Sequence, residues 1–143
     1  MVTLAILSWF TSRKDFLGLY KDSEAARNMA IRFWESAEQT EILAFGLMLI
    51  LSVLICWIYY FPFNNMPGRH YKPIYMFAFM GAAIVAVLIL SFLLFLCLVD
   101  NSQFNGGFLA KLSVVNAIYC IIAFFLVAII ICKSGKSNAY PII

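Results

Sequence analysis

The sequence predicts an all-α integral membrane protein with three transmembrane helices. An N-terminal amphipathic helical arm precedes them, and the first spanning helix extends beyond the bilayer. Three observations carry this. Of 143 residues, 64% are hydrophobic and 12% charged, whereas soluble domains hold about half apolar and a quarter charged residues. Three stretches are apolar, uncharged and long enough to cross a hydrocarbon core of about 30 Å. The charges are also segregated: eleven of the seventeen fall in the first 41 residues.

Residues 1–41 form the arm. MVTLAILSWF is apolar but too short to span, and no positive segment precedes it as in a secretory signal. In SRKDF, Ser12 and Asp15 fit a capping box, in which the hydroxyl and the carboxylate each accept from a free amide. Phe16, Leu17, Leu19 and Tyr20 follow, which predicts a short helix broken near Gly18 or Asp22. A second helix starts near Ser23. Ala26, Met29, Ala30, Phe33 and Ala37 lie on one helical stripe, with Glu24–Arg27 and Arg32–Glu35 at pairing distance on the wetter side. No proline or glycine separates this stripe from residue 42, so the sequence predicts one helix from 23 to 61. Pro62 stops it, having no amide hydrogen and a ring that clashes with the preceding turn.

Residues 42–132 are the transmembrane domain, with spans at 42–61, 74–99 and 108–132. The second has 26 uncharged residues and reaches roughly 39 Å as a helix, enough to span with tilt. The third has its apolar core at 112–132, where Ser113 and Asn116 are the clearly polar groups. No stretch alternates polar and apolar residues as a barrel strand does. DNSQFNGG, residues 100–107, reads as a turn. Residues 133–143 are a short polar tail.

The first inter-span segment, FPFNNMPGRHYKP, holds three of the four prolines and the single histidine. Trp57, Tyr59 and Tyr60 precede the tip of this loop and Tyr71 and Tyr75 follow it, as an interfacial belt. Arg69, His70 and Lys72 are candidate lipid-headgroup contacts, since long cationic side chains snorkel to phosphates. His70 has no acid or second histidine in its loop to orient it for catalysis. Cys56, Cys97, Cys120 and Cys132 form no C-x-x-C pair and read as small buried hydrophobes.

Three spans put the first loop and the tail on one side, with Arg69, Lys72, Lys133 and Lys136. Arg27, Arg32 and Lys111 lie near helix ends on the other. The positive-inside bias then predicts a cytoplasmic C-terminus in a plasma or inner membrane. A net charge of +3, scattered along the chain, gives no nucleic-acid footprint.

None of the apolar stretches 42–61, 74–99 and 112–132 contains Asp, Glu, Lys, Arg or His, and no phosphate-binding, nucleophile-elbow or zinc-protease motif occurs. The expectation is a non-enzymatic chain with no catalytic residue, metal or cofactor. Ala78, Gly81, Ala82 and Ala86 form a small-residue ridge that favours close helix approach. Ser113 and Asn116 are polar groups that seek partners on other helices. These six are the candidate helix-packing residues. Trp9, Phe10, Phe16, Phe33 and Trp34 are large apolar groups outside the spans, predicted to dock a partner or lie at the interface. Six acids against five cations in the arm weigh against lipid alone.

The reading is a small membrane subunit that anchors and scaffolds a larger assembly of secretion, transport or energy-converting type. Its partners are lipids and other integral subunits, with a hetero-oligomer favoured. The alternative is a homo-oligomeric pore. Three spans with the N-terminus out and a basic tail inside resemble the general layout of some phage holins, a likeness of architecture that covers no sequence motif.

Overall fold

The computed structural model describes residues 13–20, 23–63 and 73–133. Among these the chain is helical throughout, with no strand. A short helix α1 (Arg13–Gly18) leads to the long helix α2 (Glu24–Ile58). Two further long helices follow, α3 (Pro73–Leu98) and α4 (Gly106–Lys133). Each of the three long helices packs against the other two. All three are long and apolar enough to cross a membrane, which suggests a multi-pass membrane protein.

Ser23 is extended, at φ −147° and ψ 130°, and its carbonyl accepts the Arg27 amide at 3.0 Å. Its hydroxyl makes no cap bond. The α-helical path that it opens ends at Ile58, one turn before the expected residue 61. Residues Tyr59–Phe63 widen into a π-type turn that contains Pro62. A proline ring clashes with the carbonyl four residues earlier, here that of Ile58, and the wider turn accommodates it.

The turn after α3 has more structure than its composition indicates. Asn101 is left-handed, at φ 56°, a region that asparagine tolerates. Its carbonyl accepts the Phe104 amide at 2.7 Å. A 3-10 turn spans Ser102–Asn105, and Asn105 Oδ1 accepts the Phe108 amide at 3.2 Å. That cap starts α4 at Gly106, two residues before the expected 108.

The core has two apolar clusters, one toward each end. The first joins Phe16 of α1 and Phe33, Trp34, Ala37 and Ala44 of α2 to Phe95 and Val99, and to Phe108, Leu109 and Leu112 of α4. Its rings are close: Phe16 lies 5.9 Å from Phe33, 5.3 Å from Trp34 and 5.6 Å from Phe108. The second gathers Met48, Cys56, Tyr59 and Tyr60 with Met76, Ala83 and Val87 of α3 and Cys120, Phe124 and Ala128 of α4. All four cysteines are free thiols: Cys56 and Cys120 are buried, Cys132 is half-buried and Cys97 is exposed.

Candidate functional site

The inward stripe of α2 runs Ala30, Phe33, Trp34, Ala37, Thr40, Glu41, Ala44, Met48, Ser52 and Cys56. Its steps of three and four residues keep one helical face toward α3 and α4. Glu41 occupies a position on that stripe where its neighbours one turn away, Ala37 and Ala44, are core residues. It is 1% exposed.

A polar layer separates the two apolar clusters. On α3 it holds Ser91, between Val87 and Phe95; on α4 it holds Ser113 and Asn116, between Leu112 and Cys120. The hydroxyls along the interior bond to their own helices. Thr40 donates to the Ser36 carbonyl at 2.8 Å, Ser52 to Met48 at 2.7 Å, Ser113 to Leu109 at 3.0 Å and Ser91 to Leu88 at 3.3 Å. Such back-bonding satisfies a hydroxyl without a second helix. Ser52 Oγ also lies 3.2 Å from Cys120 Sγ.

Glu41 and Asn116 have no such solution. Glu41 Oε2 and both Asn116 amide atoms, Nδ2 and Oδ1, are buried without a hydrogen-bond partner. A buried polar atom left so costs about 1–3 kcal/mol, more for a charged group. Among the described residues no group of three His, Cys, Asp or Glu is placed to hold a metal.

The residues singled out in the sequence divide between interior and surface. Ser113 and Asn116 face the interior, each 1% exposed. Asn116 does not find the interhelical hydrogen bond expected of it. Ala78 and Ala82 are exposed, while Gly81 and Ala86 are half-buried. A Cβ placed on Gly81 would meet nothing within 4 Å, so no helix of this chain uses that glycine for close approach. The small residue buried against the other helices is Ala83.

Phe16, Phe33 and Trp34 lie inside the first core cluster, at 3%, 0% and 3% exposure. They are not on a partner-facing or interfacial surface. The reason is geometric: the short turn after α3 brings Phe104 and Phe108 beside the arm, and the aromatic rings cover one another. Arg13 then pairs with Glu35 at 2.9 Å, tying α1 to α2 across their exposed side. Trp9 and Phe10, the capping residue Ser12, and Arg69, His70 and Lys72 lie outside the described residues.

Sequence reading missed Glu41 as a core group because it counts among the charges of the arm. The signal was available. Positions 30, 34, 37, 41, 44 and 48 form one run of four- and three-residue steps, and an acid within such a run is turned inward with its neighbours.

No family model, curated protein or solved structure matches this chain.

Proposed function

We propose that the chain is a non-enzymatic integral membrane subunit that anchors and scaffolds a larger assembly of secretion, transport or energy-converting type. The observation that carries this reading is the outward placement of Ala78 and Ala82 on α3. In lipid, helix association depends on packing, and small side chains allow the closest packing. Ala78 and Ala82 make no core for this chain, so that face is open to a helix of another subunit.

Two further features fit an anchor. At 35 residues, α2 is about 52 Å long against a hydrocarbon core of about 30 Å. Its first turns then stand outside the bilayer, stiffened by α1, with Leu19 73% exposed there. The cation count near the helix ends, four against three, favours a C-terminus in the cytoplasm and an arm on the outer side of a plasma or inner membrane.

A homo-oligomeric pore is the weaker reading. Ser52, Ser91, Ser113 and Asn116 are turned into the chain's own core, so copies packed side by side offer an apolar lining. The test is purification from the native membrane in mild detergent, followed by mass spectrometry of the wild type and Ala82→Leu. Distinct stoichiometric proteins that dissociate in the variant support the subunit. The chain alone in a closed ring that conducts ions overturns it.

A further inference from the structure

We propose that Met48 and Cys120 form a soft-metal site inside the bundle, which takes one monovalent cation of the Cu(I) class between a thioether and a thiolate. Two observations meet there. Ser52 Oγ lies 3.8 Å from Met48 Sδ and 3.2 Å from Cys120 Sγ, so sulfurs from two helices flank one oxygen. Asn116, one turn before Cys120, has both amide atoms buried and unpartnered. The register of α2 against α4 sets Asn116 level with Met48. Ser52 meets Cys120 and Cys56 meets Phe124, each 68 positions on, and the same offset takes Met48 to Asn116. Met48, Ser52, Asn116 and Cys120 are all at most 1% exposed.

The donors select the cation. Thiolate and thioether are soft ligands that favour Cu(I), whereas structural zinc takes four donors. The site uses one thiol and one thioether, and so differs from a cluster of three titratable ligands, which the described residues do not form. A charge buried in an apolar interior is costly unless it is paired. Cu(I) on one thiolate is neutral; a divalent ion in its place keeps a positive charge. Binding breaks the Cys120 S–H bond, forms a Cu–S bond and releases one proton to the medium, with no electron moved. Met48 has three rotatable side-chain bonds, so its sulfur closes on the ion without a backbone shift. Asn116 Nδ2 then donates to the thiolate, as groups behind a ligand orient and tune it.

Sulfur also marks the way in. Three of the four cysteines and three of the six methionines belong to the second core cluster. Cys56 Sγ lies 3.9 Å from the Phe124 carbonyl, one turn beyond Ser52. Cys132 Sγ lies 3.7 Å from the Tyr60 hydroxyl, at the half-buried end of α4. A soft ion passes from Cys132 to Cys56 to Cys120 by exchanging one sulfur for the next. Cys97, the fourth thiol, is exposed and outside that cluster. The site stands whatever the chain assembles with.

The experiment is an anaerobic titration of the full chain in detergent with Cu(I), in competition with a chelator of known affinity. Native mass spectrometry gives the stoichiometry, and X-ray absorption at the copper edge gives the ligand atoms. The wild type and Cys97→Ser bind one ion with equal affinity and with sulfur neighbours. Met48→Leu, Cys120→Ala and Cys120→Ser weaken binding by at least about tenfold, and Asn116→Leu by about tenfold. Thermal unfolding is the second readout: Cu(I) raises the Tm of the wild type and leaves that of the two Cys120 variants unchanged. Absence of stoichiometric binding, loss of the ion in Cys97→Ser, or wild-type affinity in Met48→Leu or either Cys120 variant overturns the proposal.

Discussion

Ser36 Oγ accepts the backbone amide of Asp100 at 3.1 Å while its own proton goes to the Arg32 carbonyl at 2.9 Å. One hydroxyl thus fastens the turn after α3 to the arm end of α2, across 64 positions of sequence. Ser36→Ala removes the acceptor. At this exposed site water replaces it in part, so the expected cost is about 0.5–1.5 kcal/mol. Denaturant unfolding of the detergent-solubilised chain measures it, with faster exchange at the Asp100 amide as the local signature.

Neighbouring alanines on α3 are expected to respond oppositely. Ala83 is 0% exposed and Ala82 is exposed. Ala83→Leu forces three methylene-sized groups into a packed core and lowers stability by about 1–3 kcal/mol. Ala82→Leu leaves the stability of the isolated chain within about 0.5 kcal/mol, as surface substitutions do. Unfolding of both variants side by side checks the contrast. Equal losses would mean that the helix is turned differently.

Asn116 offers a gain. Both its amide atoms are buried and unpartnered. Asn116→Leu is similar in volume and removes the orphaned groups, so stability is expected to rise by about 1–3 kcal/mol. A loss would show that a bound water or another chain satisfies the amide.

The aromatic closure has a measurable weight. Phe16→Ala takes a ring out of contact with Tyr20, Phe33, Trp34 and Phe108. The expected cost is about 3 kcal/mol, local to the arm. Arg13→Ala, which breaks a half-exposed ion pair, costs no more than about 1 kcal/mol and less at high salt. Protease cutting between α1 and α2 reports both, and the ring should matter more than the charge.

The sequence by itself determined that the chain is helical and has three long apolar helices, though not the residues at which they end. Those features follow from local chemistry: uncharged runs of sufficient length, a proline without an amide, a turn rich in Asn and Gly. Only the tertiary structure decided which way each helix faces. Residues 73–98 are apolar all round, and in lipid an apolar side chain fits the core and the outer surface alike. Hydropathy therefore carries no phase for α3, and Ala83 rather than Ala82 points inward. The fates of Phe16 and Glu41 were decided in the same way. A ring outside the spans is buried only because the turn at 99–108 returns beside the arm, and an acid counted with surface charges is buried because it falls on the stripe that two other helices cover.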